Sequence, residues 1–438
     1  MKAPIILTLV ILALGSFWGM HENRNLTVLR EKHRLILREA ESLGVPADVS
    51  KPFLVTRASR RPREDAGRIG REFADRLVAF AKEMKELQKS GKQPDEAMKK
   101  GIFDMLDGFS SLNGDELKAL ISSLKGRTDL DDDMRQGMLT MSIMMLAQQH
   151  PETALALFTE SSDLLGDNPA SQFALEAALS QWANKQPLEA LKWIKDNAAK
   201  HPDLVTDDAK TAVISGAART DFGLAFQLIG ELKVSMNDVI YQIARAASTP
   251  EKQTDLLKAL RKQAANSDDK KAGKALLSNG LNALFSQVSE AGYEKSMAWL
   301  KSADPSPEET AAMTEGLSYY RTKEDTGKWI DWLATQSIDS DKSENATRNL
   351  MSNWTSADYK SAGEWLAQAP AGAMKETATK SYLENVAPYD PEVAAQWAGT
   401  LPADEQKSEM RSIYHALKSK DADAAADFAK RHGVDVEK

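Results

Sequence analysis

The stretch DLDDDM, Asp129 to Met134, sets four aspartates in six residues, an oxygen-rich run of the type that holds calcium. Its spacing fails that chemistry. Met134 stands at the sixth position, where the loop's sharp turn needs glycine, and Thr140 stands where a bidentate glutamate belongs. Capping of the next helix is the simpler reading. The histidines, His21, His33, His150, His201, His415 and His432, include no pair spaced to share a helix face, so they offer no zinc motif. Gly67 and Gly70 in GRIGREF lie inside a helical pattern with no strand before them, which removes the dinucleotide fingerprint, and no nucleophile elbow or phosphate loop occurs. With 64 acidic residues, some carboxylates fall about 5 to 9 Å apart in any fold, which leaves glycoside chemistry open without selecting a pair. No catalytic, cofactor-binding or metal-ligating residue is therefore assigned, no cofactor is expected, and the chain is read as non-enzymatic.

Composition bounds the elements that must carry any function. At 438 residues the chain exceeds one ordinary core, and its 42% hydrophobic and 27% charged content with only 7% aromatics leans towards helix. The absence of cysteine excludes disulfides, thiolate metal sites and cysteine nucleophiles. The net charge of −8 is uneven: 19 basic and 13 acidic residues fall between His21 and Gly101, against 36 and 51 beyond it. A long acidic remainder argues against nucleic acid, where Lys and Arg must replace counterions.

Ala3 to Met20 is an uncharged run of 18 residues, about 27 Å as a helix, and is read as a signal peptide or an uncleaved anchor over 1–20. Arg24, Arg30, Lys32, Arg34 and Arg38 follow closely and oppose simple translocation. Over 21–45, Leu26, Leu29, His33, Ile36, Ala40 and Leu43 alternate steps of three and four, the seam of a short coiled coil that offers a homodimer contact. Residues 46–62 carry three prolines and little periodicity, a linker. From 63 to 438 helical periodicity is continuous. Ile69, Phe73, Leu77, Phe80, Met84 and Leu87 stripe one long helix, another runs from about Pro94, and NGDELKALISSLKG after it carries its own cap and stop signals in Asn113 and Gly126.

Within that region one frame recurs. The segments YDPEVAAQWAGTLP and ADYKSAGEWLAQAP share a cap, a first helical residue, a small residue three further on and a tryptophan six further on. The frame starts helices at Pro151, Pro187, Phe222, Tyr293, Thr326, Tyr359, Pro391 and Ala422, and more weakly around Pro250 to Thr254. Neighbouring clear copies lie 36, 35, 33, 33, 32 and 31 residues apart, with one double gap of 71. Such periods mean stacked helix pairs. Asp221, Asp325, Asp358, Asp390 and Asp421 precede the helix, where a carboxylate accepts first-turn amide protons, so they are read as caps. Proline at the first position loses no hydrogen bond. Positions three, six and seven share one arc of the helix, so the small residues and the indoles at 193, 299, 332, 365 and 397 are read as packing, with Trp182 and Trp354 on the partner helix. An aromatic ladder for sugars or peptides would instead need those rings in water.

The predicted fold is all-α, an α-solenoid of stacked helical hairpins. About nine repeats at roughly 10 Å per layer predict a curved body on the order of 90 Å. From Asp129 to Lys438 the pattern resembles an α-solenoid of the tetratricopeptide-like class, although Ala and Trp are three apart, as in Ala190 and Trp193, and no Leu-Gly-x-x-Tyr precedes them. With the apolar segment and coil over Ala3 to Leu43 and the Pro-x-x-Ala-x-x-Trp of PEVAAQW, it also resembles exported helical-repeat proteins of the verrucomicrobial type. That resemblance implies a repeat architecture and an envelope location, periplasmic or anchored in the inner membrane, and supplies no activity. The function expected is a scaffold that binds a protein or peptide partner. An α/α toroid acting on glycan or peptidoglycan and an envelope component oligomerising through the coil are the rival readings.

Overall fold

The computed structural model describes residues 63–90, 95–165 and 169–435. The apolar segment, the coil and the linker lie outside them, and among the described residues no helix is long and apolar enough to cross a membrane. The described chain is helical throughout, with no strand among its described residues. It divides into two compact units at Gly216–Ala217.

The first unit holds α1 (Arg63–Ser90), α2 (Glu96–Ser111), α3 (Gly114–Lys125), α4 (Asp132–Gln149), α5 (Pro151–Glu160), α6 (Ser162–Leu165), α7 (Pro169–Lys185), α8 (Pro187–Asn197) and most of α9 (Asp207–Ala218). Here α1 packs on α3, α3 on α4 and α4 on α7, while the short α5 contacts both α4 and α7. Asn113 closes a reciprocal capping box with Glu116 at the start of α3, which ends at Gly126, as its sequence predicts. The second unit holds α10 (Phe222–Leu232), α11 (Met236–Ala246), α12 (Pro250–Ala265), α13 (Lys270–Ser289), α14 (Tyr293–Ala303), α15 (Pro307–Thr314), α16 (Tyr319–Thr322), α17 (Thr326–Thr335), α18 (Ser340–Gln368), α19 (Ala373–Val386), α20 (Pro391–Ala398), α21 (Ala403–Lys418) and α22 (Ala422–His432). Alternate helices pack on one another, α11 on α13, α13 on α15 and α19 on α21, while α12 packs on α13 and α18 on α19, and the short α17 contacts both α18 and α19.

Every helix start predicted by the repeat frame is found. Helices α5, α8, α10, α12, α14, α17, α20 and α22 begin at its first residues, and α18 breaks at Asp358 (φ −152°, ψ 80°) so that a fresh helix starts at Tyr359. The caps form as carboxylate–amide bonds: Asp221 accepts from Leu224 N at 3.0 Å, Asp358 from Ser361 N at 3.1 Å, Asp390 from Val393 N at 3.1 Å and Asp421 from Ala424 N at 2.9 Å. Asp325 differs. Its backbone (φ −120°, ψ 12°) leaves its own helix without a side-chain cap, and its carboxylate accepts Tyr293 N at 3.2 Å, one repeat earlier, where Gly292 has no side chain to offer.

The packing stripe is narrower than the sequence suggests. Position three is fully buried in every clear copy, as Ala154, Ala190, Ala225, Ser296, Trp329, Ala362, Ala394 and Ala425, and position seven is buried throughout, from Phe158 to Ala429. Position six is mixed: Leu228, Trp299 and Phe428 are buried, whereas Trp193, Trp332, Trp365 and Trp397 are half-buried. The reason is angular. At about 100° per residue, positions three and seven lie roughly 40° apart, while position six falls about 60° to the far side of position three, on the stripe's edge. No described tryptophan is exposed. Trp365 lies over Gly327 of the preceding repeat, where a Cβ would come within 2.4 Å of the ring, and stands 6.0 Å from Trp354. Trp397 meets Tyr382 at 5.8 Å. The one bulky residue at position three, Trp329, is held edge-on by Phe285, Tyr293 and Trp332 at 5.7, 5.2 and 5.7 Å.

Polar ties repeat with the same period. Lys185 Nζ donates to Gln148 O at 3.4 Å, Lys252 to Arg219 O at 3.0 Å and Lys420 to Pro388 O at 3.3 Å, and each acceptor stands three residues before a repeat's helix start. An ammonium thus meets the negative end of the preceding helix. Ser381 to Arg348 O and Asn385 to Ser352 add ties 33 residues apart.

Replacing Trp329 by Ala is expected to cost about 3 to 5 kcal/mol of the second unit's stability, and replacing Trp397 clearly less, read as shifts in the urea midpoint. Equal shifts would contradict the edge position assigned to the half-buried indoles.

Candidate functional site

The residues that first suggested chemistry are engaged structurally. Asp129 bonds Lys82 at 2.7 Å and Arg127 at 2.8 Å, and Asp131 pairs with Lys85 and caps α4 through Met134 N at 3.0 Å. The hydrogen bonds from Arg127 and Lys82 hold the Asp129 carboxyl far below the usual carboxylate range. Gly70 of GRIGREF marks a helix crossing: a Cβ there would lie 2.5 Å from Glu116 O. His432 pairs with Glu392 at 2.9 Å, and the His415 ring lies 5.2 Å from Tyr414. Among the described residues no group of three or more His, Asp or Glu could hold a metal ion.

Two glutamates have raised pKa values. Burial pushes Glu176 up, opposed by a hydrogen bond from Gln172, and Asp208 adds to the rise. Burial also raises Glu409, where Lys380 opposes and Glu384 and Glu405 reinforce it, while Lys380 itself bonds Glu405 at 2.6 Å. These carboxyls come nearest to acid–base chemistry among the described residues.

The irregular copy is flanked by two grooves. Helix α12 starts 28 residues after α10 and 43 before α14, and it runs for 16 residues where its counterparts α10 and α14 run for 11. It packs on α10, α11, α13 and α14. Its own frame still holds, with Gln253, Leu256 and Leu257 buried at positions three, six and seven. Leu260, the eleventh residue of α12, sits against α13, where a Cβ at Gly280 would come within 2.2 Å of the leucine, and the added length is residues 261–265 beyond it.

A groove opens on each side of α12. The one towards α13 and α15, about 640 Å³, is crossed by an ion pair: Arg261 Nε and Nη2 both bond the Glu309 carboxylate at 2.7 Å. Glu309 also accepts Ser306 N at 2.9 Å in the capping box of α15. The Arg261 hydrogen bonds drive the Glu309 carboxyl below its ordinary value, against the opposing effect of burial. This groove is a clasp between helices.

The other groove, about 540 Å³, runs between α10 and α12. Phe222, Phe226 and Ala259 lie at its floor, with Arg219, Lys252, Lys258 and Lys262 against Asp221 and Asp255 along its sides. Both acids are partnered, Asp221 as a cap and Asp255 with Lys258 at 3.5 Å. Neither the Arg219 nor the Lys262 side chain has an ion-pair partner among the described residues, and the amides of Gln227, Gln263 and Asn266 are likewise open. The sequence hints at this site only through the weak copy at Pro250 to Thr254.

The fold defines an all-α chain of packed helix pairs with recurring helix starts. No protein-family model matches it, and no curated protein matches it.

The Arg261–Glu309 contribution to stability is expected to be complete above the unfolded glutamate value of about 4.3 and to fade as pH falls through the lower folded value. Glu309→Gln should therefore lower the urea midpoint at pH 7, with the gap to wild type closing below about pH 4. A gap that widens on acidification would reverse the sign assigned to this pair.

Proposed function

We propose that the chain is a non-catalytic helical-repeat scaffold that binds a protein or peptide partner. The observation that carries this reading is a contrast in polar groups: the aspartates of the repeats cap helices or bridge them, whereas Arg219, Lys262 and the amides of Gln227, Gln263 and Asn266 line one groove beside the irregular α12 without a side-chain partner among the described residues. Packed helix pairs hold such side chains at fixed spacing, which suits display to an extended partner. The resemblance to tetratricopeptide-like and exported repeat proteins fits the same role, with the apolar segment 1–20 directing the chain to the envelope and the coil 21–45 pairing copies.

Photo-crosslinking residues introduced at Gln263, Tyr320 and Phe173 of the full-length chain, expressed in its own cells, should give discrete, reproducible adducts with a specific partner. The purified full-length chain should leave glycan and peptidoglycan panels unchanged. Robust turnover abolished by Glu176→Gln or Glu409→Gln would establish the enzymatic alternative instead.

A further inference from the structure

We infer that the α10–α12 groove receives an extended acidic peptide segment; this deepens the scaffold reading and rests on it. Lys252, Asp255, Ala259, Lys262 and the C-cap Asn266 follow one another at steps of three and four, with Gln263 next to Lys262, so they lie along one face of α12 and its C-terminal cap. That face spans about 21 Å at 1.5 Å per residue, which matches roughly six residues of extended chain at about 3.4 Å each.

The chemistry along it is selective. An extended peptide presents unpaired N–H and C=O groups, and the Gln227, Gln263 and Asn266 amides offer both a donor and an acceptor to each. Charge chooses the side chains. With Asp221 and Asp255 engaged, Arg219 and Lys262 are left uncompensated in a chain whose formal net charge is −8. At physiological ionic strength charges beyond about 8 Å are largely screened, so a bound segment responds to these two cations more than to the acidic remainder. The Phe222 and Phe226 rings below supply an apolar floor for one side chain of the peptide. A nucleic acid would need more phosphate contacts than two free cations give.

The test uses the full-length chain and fluorescence anisotropy with three labelled probes: an octapeptide alternating Glu and Ala around a central Leu, its Lys-for-Glu counterpart, and a thymidine octanucleotide. The acidic peptide should bind saturably and in preference to both others. Arg219→Glu combined with Lys262→Glu should weaken it about tenfold or more. Gln263→Ala with Asn266→Ala should weaken it while leaving its salt dependence intact, and Lys301→Glu, on the exposed side of α14, should change nothing. Absence of acidic-peptide binding, binding indifferent to the double charge reversal, or equal binding of the octanucleotide overturns the inference. If crosslinks from Tyr320 or Phe173 persist in that case, the scaffold reading survives and only this groove assignment falls.

Discussion

A helix pair of this size cannot bury its own apolar stripe, and that constraint organises the whole described chain. The stripe reduces to two positions, a small residue three after each helix start and a larger apolar residue seven after it in most copies, both hidden against neighbouring helices. Ala190 with Ile194 and Ala362 with Leu366 show the arrangement at its simplest: the missing bulk at one position admits the neighbour, and the bulk at the other fills the space beside it. Trp329 breaks the size rule and needs three aromatic rings around it to do so.

Polar contacts then set the register of what burial brings together. The bonds from Lys185, Lys252 and Lys420 each land on a carbonyl at the end of the preceding longer helix, so one geometrical event recurs in both units. A repeat thereby completes the hydrogen bonding of its predecessor, and stability becomes a matter of nearest neighbours. The clasp of Arg261 on Glu309 does the same work where α12 departs from the regular spacing.

Much of this was legible in the residues because helix starts are local. Proline at a first turn, aspartate just before it and alanine three later depend on backbone geometry within a few residues, and the helices begin where those signals stand. What was not legible depends on neighbours. Whether Trp193 or Trp397 is covered is decided by the adjoining helix, since position six lies at the stripe's margin. Asp325 reads like any other cap, yet its donor is 32 residues away. The α10–α12 groove was still less visible, because Lys262 and Gln263 acquire meaning only from the partners they lack.

The borrowed cap at Asp325 also gives the chain a direction in time. A ribosome delivers Tyr293 well before Asp325, so the amide at the head of α14 waits, solvated, until the following repeat has emerged and docked. The cap of α14 is thus supplied from its C-terminal side, and in a nascent chain halted between the two residues the Tyr293 amide lacks its side-chain acceptor.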